Sequence, residues 1–172
     1  MTALGGVLSD KDQLEDACAL FRKAVELGEL EQAPEHQDHA QRLSELASVL
    51  QDLDELAEAE ALYRQALEIE EAAYGPEHPE TIATVGNLAG LLQENGDLDT
   101  AEELYRKCLR VNREKLGENH FDTGTQYGNL AGVLHEKGDL DQAIELYRKD
   151  VQITETNLGS EHIKLATSLG AD

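Results

Sequence analysis

The sequence predicts an all-α fold, a solenoid of antiparallel helix hairpins, and three observations support this prediction. Residues 75–116 and 117–158 align without a gap and are identical at 21 of 42 positions, so the chain repeats with a period of 42 residues. A supersecondary unit of this size cannot bury its apolar face alone, so neighbouring units stack. Apolar residues recur every three or four positions within each unit, and only short turns separate the apolar segments.

The second helix of each unit, called helix B, is predicted from about Leu98 to about Lys115 in the third unit. Gly117 lies just past its end, as expected of a C-cap glycine. The apolar positions of helix B have the spacing 3, 3, 1 of an amphipathic helix. These positions recur in all four units: the first are Leu14, Leu56, Leu98 and Leu140, and the last are Phe21, Tyr63, Tyr105 and Tyr147.

Helix A precedes helix B and is predicted from about Pro79 to Glu94 in the third unit. Proline suits the first helical position, because its missing N–H would be unbonded there anyway. Asp97 and Asp139, in the short A–B turns, can cap the first amides of helix B. The buried face of helix A is Leu43, Leu46, Ala47 and Leu50 in the second unit, Val85, Leu88, Ala89 and Leu92 in the third, and Tyr127, Leu130, Ala131 and Leu134 in the fourth.

The repeat register divides residues 1–172 into a single array. A partial first repeat covers 1–32, full repeats cover 33–74, 75–116 and 117–158, and a further helix A begins within 159–172. This pattern is typical of a fragment of a longer array. Exposed apolar ends of a solenoid favour stacking, so we expect weak end-to-end self-stacking. The residues that would be exposed are Leu4, Val7 and Leu8 at one end and Leu165 and Leu169 at the other.

The composition restricts the partners. The net charge is −22, which argues against binding nucleic acid or an anionic membrane, because both require clustered lysine and arginine. It favours a basic or neutral protein or peptide. The two cysteines form no CxxC or metal-binding pattern and fit a reducing, cytoplasmic location. No catalytic or cofactor-binding motif is present, so we expect neither an enzyme nor a cofactor.

One stretch has the residues of a known family. Residues 74–111 read YGPEHPETIATVGNLAGLLQENGDLDTAEELYRKCLRV, with a small residue at Ala89, another at Ala101 and an aromatic at Tyr105. This resembles the tetratricopeptide repeat, in the 42-residue form of kinesin light chain and of arrays attached to STAND-type NTPases. The chain departs from the family pattern at Asp150, a position that is usually packed.

The resemblance implies a right-handed superhelix and a scaffold that binds a peptide segment of a partner protein in its concave groove. The alternative is a structural or regulatory segment of a larger STAND NTPase-like or kinesin-light-chain-like protein, which packs on its own neighbouring repeats. The A helices of the family line the groove. The implied peptide-binding residues are Glu45, Ser48, Asp52, Gly86, Asn87, Gly90, Gln93, Glu94, Gly128, Asn129, Gly132, His135 and Glu136.

Three features of this set have alternative interpretations. The resemblance implies that Asn87 and Asn129 hold a peptide backbone, which an amide can do because it both donates and accepts; the alternative is an inter-helix hydrogen bond. The glycines of this set, Gly86, Gly90, Gly128 and Gly132, have two interpretations: they form a smooth groove floor, or they allow close packing of A helices. The carboxylates form an acidic ladder or a solvated helix end. They occupy one repeat position: Asp10, Asp52, Glu94 and Glu136.

Histidine also recurs every 42 residues, just before helix A. A zinc ion needs all its ligands about 2 Å away, whereas adjacent repeats are separated by a helix spacing. We therefore expect capping or loop anchoring and no metal. The four positions are His36, His78, His120 and His162.

Overall fold

The computed structural model describes the backbone of residues 14–30 and 37–169 and the side chains of residues 14–27 and 38–157. In these ranges the secondary structure consists of seven α-helices, and no strand is present, which confirms the all-α prediction. The predicted stacking residues, together with Asp10, His36 and His162, lie outside the described side chains. The helices are α1 (Leu14–Leu30), α2 (Gln37–Asp52), α3 (Leu56–Tyr74), α4 (Pro79–Glu94), α5 (Leu98–Lys115), α6 (Phe121–Glu136) and α7 (Leu140–Leu169).

The described residues form two compact units, which divide between Asp97 and Leu98. In the first unit, α1 packs on α2, α2 on α3 and α3 on α4, and α2 also touches α4. In the second unit, α5 packs on α6 and α6 on α7. Helix-to-helix packing of consecutive elements is therefore the architecture within each unit, as the repeat predicts.

The repeat register predicted the helix boundaries closely. Helix α4 begins at Pro79 and ends at Glu94, and α5 begins at Leu98 and ends at Lys115, as predicted. Asp139 caps α7, since its Oδ1 accepts a hydrogen bond from the Gln142 amide at 3.3 Å. All twelve predicted apolar residues of the A helices are buried, and Leu43, Leu50, Val85, Leu130 and Tyr127 have almost no exposed surface.

The turns between repeats are closed by one hydrogen bond that occurs twice. Thr81 Oγ1 donates to the Gly75 carbonyl at 3.0 Å, and Thr123 Oγ1 donates to the Gly117 carbonyl at 2.8 Å. Gly75 and Gly117 have φ values of +91° and +96°, a conformation in which glycine has no Cβ penalty. The chain therefore passes from α3 to α4 and from α5 to α6 through the same fixed turn.

Helix α7 differs from the expectation based on the repeat register. It continues without a break from Leu140 to Leu169, although Gly159 occupies the position of Gly75 and Gly117. The sequence offers a physical reason, because residue 165, the counterpart of Thr81 and Thr123, is leucine and has no hydroxyl to close the turn.

Surface ion pairs join neighbouring turns and helices. Glu60 pairs with Arg64 and Glu102 with Arg106 at the spacing i, i+4, as their sequence positions indicate. Exposed pairs of this kind contribute about 0.3–0.5 kcal/mol each. Lys137 contacts both Asp99 and Glu102, and thereby links the α6–α7 turn to the beginning of α5.

Both cysteines are buried as free thiols. Cys108 has no exposed surface, and burial raises the pKa of its thiol to about 12. None of the helices in the described residues has the length and apolar character needed to span a membrane.

Candidate functional site

The predicted binding face of the first unit lies on α2 and α4. Ser48 and Asp52 on α2 and Asn87 and Glu94 on α4 are exposed. The side-chain amide of Asn87 has no hydrogen-bond partner among the described residues. The inter-helix hydrogen bond that was the alternative for this asparagine is therefore not present in this part of the structure. Gly86, Gly90 and Gln93 are half-buried beside it.

The second unit repeats this face on α6. Asn129 and Gly132 are half-buried, and His135 and Glu136 are exposed near the end of the helix. The Asn129 amide, like that of Asn87, makes no hydrogen bond to any described residue. Two asparagines at one repeat position thus have side-chain amides without a protein partner. Helix stability does not account for them, because asparagine ranks poorly in helix interiors.

The corresponding residue on α2 is Glu45, which is also polar and incompletely paired. Its Oε1 accepts a hydrogen bond from Gln41 Nε2 at 3.0 Å, whereas its Oε2 is shielded from solvent and has no partner. An unpaired polar atom of this kind costs free energy unless a ligand or water satisfies it. The position shared by Glu45, Asn87 and Asn129 therefore has free hydrogen-bonding capacity on every described A helix.

The carboxylates of two consecutive A helices both influence the pKa of one tyrosine, Tyr63. Its ring is buried, and its pKa is raised mainly by burial and further by the charges of Asp52 and Glu94. A hydrogen bond with Ser48 lowers the pKa in turn. Because Asp52 belongs to α2 and Glu94 to α4, two of the predicted acidic residues lie within electrostatic range of one hydroxyl.

Gly128 packs on a B helix, which differs from both sequence-based interpretations of the glycines. A Cβ at this position would come within 2.8 Å of Asp150 Oδ2, and a Cβ at Gly124 would lie 3.0 Å from Ile153 Cγ2. Gly128 therefore contacts the B helix of its own hairpin, α7, and this contact explains the glycine without a ligand. Asp150 is also held by Thr154, whose hydroxyl donates to it at 3.3 Å.

The two recurring histidines among the described side chains, His78 and His120, cap their helices, as predicted. His78 Nδ1 accepts a hydrogen bond from the Glu80 amide at 3.3 Å, and His120 Nδ1 accepts one from the Asp122 amide at 3.2 Å. A ring nitrogen that accepts a backbone hydrogen bond has its lone pair occupied and cannot also bind a metal ion. The described residues contain no group of three histidine, cysteine or carboxylate side chains placed to hold a metal ion.

A buried carboxyl group lies between α3 and α4, and no sequence pattern indicates it. Glu70 is 94% buried, and its Oε1 accepts a hydrogen bond from the Thr84 hydroxyl at 3.0 Å. Its Oε2 has no partner. Burial, together with the nearby charge of Glu80, raises the pKa of Glu70. Because Glu70 on α3 bonds to Thr84 on α4, this carboxyl group lies in the interface between two repeats and not on the predicted binding face.

A second polar cluster lies at the base of α6. The buried Tyr127 donates a hydrogen bond from its hydroxyl to Glu118, and Lys149 Nζ lies 4.9 Å from the centre of the Tyr127 ring. Glu118 also accepts a hydrogen bond from Arg113 Nε at 2.5 Å. The bonds from Tyr127 and Arg113 lower the pKa of Glu118, while burial and Glu118 raise that of Tyr127 to about 12.

Solved structures with this fold come from repeat proteins. The structure resembles BtubC (BKLC) from P. vanneervenii with a TM-score of 0.82 and 20% identity, over 91% of this chain and 62% of that one. It resembles a kinesin light chain from Podosopora anserina, described as putative and with nearly identical tetratricopeptide-like repeats, with a TM-score of 0.76 and 24% identity, over 91% and 74% of the two chains.

A variant of the Podosopora protein gives a TM-score of 0.81 and 25% identity, over 94% of this chain and 76% of that one. No curated protein matches the sequence. The family model of the tetratricopeptide repeat matches residues 1–69, 38–114 and 82–156. These overlapping matches cover nearly the whole sequence, in agreement with the helix hairpins and their 42-residue period. The chain therefore belongs to the tetratricopeptide repeat family.

Proposed function

We propose that the chain is a protein-interaction scaffold whose A helices bind an extended segment of a partner protein. The observation that supports this most directly is the repeat position of Asn87 and Asn129. Both residues lie in helix interiors, neither side-chain amide bonds to a described residue, and Glu45 at the same position has a buried carboxylate oxygen without a partner. An amide that both donates and accepts can pair with the N–H and C=O of an extended peptide.

The charges of this face indicate the chemistry of the bound segment. Helices α4 and α6 contain no lysine or arginine. Asp52 and Glu94 lie within electrostatic range of one hydroxyl in the first unit, and Glu136 occupies the same repeat position in the second. A segment that is basic or neutral is therefore favoured over an acidic one, and its affinity decreases as salt screens the carboxylates.

The proposal can be tested by selecting binders from a random 12-residue peptide library with the full chain as bait. We expect the enriched peptides to carry a positive or zero net charge. The double variant Asn87→Ala, Asn129→Ala should then bind a selected peptide about tenfold or more weakly, since two hydrogen-bonding positions are lost.

A matched control is Asn119→Ala, which removes the same side chain from the exposed α5–α6 turn, where only the backbone carbonyl of Asn119 accepts a hydrogen bond. This variant should bind like the unchanged chain. Equal binding by the double variant and the unchanged chain would show that the A-helix face is not the site. Enrichment of acidic peptides would contradict the proposed partner chemistry.

A further inference from the structure

Helix α5 has three arginines on one face. Arg106, Arg110 and Arg113 follow one another at the spacing 4, 3, which makes their side chains neighbours on the helix surface. Each of the three side chains is 51% exposed. All three line a surface cavity of about 570 Å³, which is also lined by Leu109, Glu114 and Glu118. We refer to Arg106, Arg110 and Arg113 as the α5 arginines.

The repeat shows that this charge is particular to α5. The two positions of Arg110 and Arg113 are acidic or neutral in the flanking B helices, where they are Glu68 and Glu71 on α3 and Gln152 and Glu155 on α7. Residues 106–115 contain five of the 14 lysines and arginines in a chain whose net charge is −22. Because the other B helices form with acidic or neutral residues at these positions, the fold does not require the two arginines.

The α5 arginines pair with glutamates in the free chain. These pairs are Arg106 with Glu102, Arg110 with Glu114 at 3.2 Å, and Arg113 with Glu118 at 2.5 Å. Pairs as exposed as these contribute about 1 kcal/mol or less each, so a stronger anion replaces the glutamates at little cost. A ligand carboxylate would only exchange one such pair for another. A phosphate group carries about −1.5 to −2 charges and three acceptor oxygens, so it is the stronger ligand for adjacent arginines.

We propose that the α5 arginines bind the phosphate group of a phosphorylated segment of a partner protein. Arginine suits this ligand, because its planar guanidinium makes two parallel hydrogen bonds to phosphate oxygens. Charge complementarity at this face supports one phosphate. Nucleic acids and anionic membranes carry many, and the net charge of −22 repels them. The site lies on a B helix and takes an anion, so it is separate from the A-helix face proposed above for a basic or neutral segment.

The test uses the full chain and a short fluorescent peptide with one phosphoserine and otherwise uncharged residues. We expect saturable binding in fluorescence anisotropy. The same peptide with serine or glutamate in place of phosphoserine should bind about tenfold or more weakly. The double variant Arg110→Gln, Arg113→Gln should also weaken binding about tenfold or more, since two groups that make charge-assisted hydrogen bonds are lost.

The matched control is the double variant Arg64→Gln, Arg148→Gln. It removes the same charge from exposed positions of α3 and α7, so it separates the effect of the site from that of the net charge. It should bind the phosphopeptide within about threefold of the unchanged chain. Arg110→Lys, Arg113→Lys keeps the charge and should bind with intermediate affinity, because lysine makes no bidentate bond. Thermal unfolding followed by circular dichroism confirms that the variants are folded.

Four outcomes would overturn the proposal. The first is that the phosphopeptide does not bind the unchanged chain. The second is that the serine or glutamate peptide binds equally well. The third is that the two glutamine double variants weaken binding equally, since the net charge would then be the cause. The fourth is loss of binding in Asn87→Ala, Asn129→Ala, which would place the phosphopeptide on the A-helix face. Failure of the peptide-binding function proposed above leaves this test unaffected, because the two sites are probed with different peptides and variants.

Discussion

The hydroxyl of Tyr127 donates a hydrogen bond to the carboxylate of Glu118, and this bond connects the buried side of α6 to the turn that precedes it. Tyr127→Phe removes only this bond. We expect the free energy of unfolding to fall by about 1 kcal/mol, because the acceptor is partly exposed and regains water as a partner. Urea denaturation measures the change. Tyr147→Phe is the control, since that residue lies at the surface of α7, and it should leave the stability unchanged.

Gly128 and Asp150 should be energetically coupled. Glycine in a helix interior costs about 1 kcal/mol relative to alanine, so Gly128→Ala would ordinarily stabilise α6. In this chain the new Cβ would lie 2.8 Å from Asp150 Oδ2. We therefore expect Gly128→Ala to stabilise the chain in an Asp150→Ala background and to stabilise it less, or to destabilise it, when Asp150 is present. A double-mutant cycle of unfolding free energies measures this coupling, and additive effects would contradict it.

Glu70 should make the stability depend on pH. Its folded-state pKa is raised above the unfolded value by burial and by Glu80, with Thr84 as its hydrogen-bond donor. The folded state therefore binds this proton more tightly, and the stability decreases as the pH rises from about 4.5 through the folded pKa. Glu70→Gln should remove this part of the pH dependence and gain stability relative to the unchanged chain at pH 7.

Urea denaturation between pH 4 and pH 8 measures the free energy of unfolding for the Glu70 test. These limits are roughly the range over which carboxyl groups with raised pKa values titrate. Glu68→Gln is the matched control, because it makes the same substitution at an exposed position two residues earlier on α3. If the two variants show the same pH dependence, burial of Glu70 does not influence the stability of the fold.

The hydrogen bonds that close the turns between repeats should each stabilise the fold. Thr81→Val and Thr123→Val keep the shape of a fully buried side chain and remove the donor to Gly75 or Gly117. We expect a loss of about 1 kcal/mol for each, since a carbonyl loses its partner. Thr125→Val, at an exposed position of α6, should change the free energy of unfolding by less than about 0.5 kcal/mol. Losses below that value for Thr81→Val and Thr123→Val would contradict this account of the turn.

Local patterns predicted most of the fold. The bounds of α4 and α5 follow from Pro79, the 3.6-residue periodicity and Gly117, all of which act within a few residues along the chain. The histidine caps are equally local, because His78 accepts a hydrogen bond from an amide only two residues later. These features required no knowledge of tertiary contacts.

Contacts between distant residues could not be predicted in the same way. Gly128 packs on a residue 22 positions later in a B helix, so neither the groove floor nor the packing of A helices identified its neighbour. Glu70 reads as an ordinary surface carboxylate of a B helix until Thr84 is placed against it. Peptide binding by Asn87 and Asn129 stays a prediction. Its support is that their amides have no protein partner, and a binding measurement with a peptide is needed to test it.

The burial of Cys108 has a practical consequence for labelling. A thiol with a pKa of about 12 is ionised at pH 7 in only about one molecule in 10⁵, and the thiolate is the form that reacts with maleimides and oxidants. Cys18 is also buried. A single cysteine introduced at an exposed position will therefore be modified far faster than Cys108. Cys18 interacts with the Arg22 guanidinium, and a neighbouring cation favours the reactive thiolate. Spin labels and fluorophores can therefore be attached after Cys18 is replaced, while Cys108 is kept.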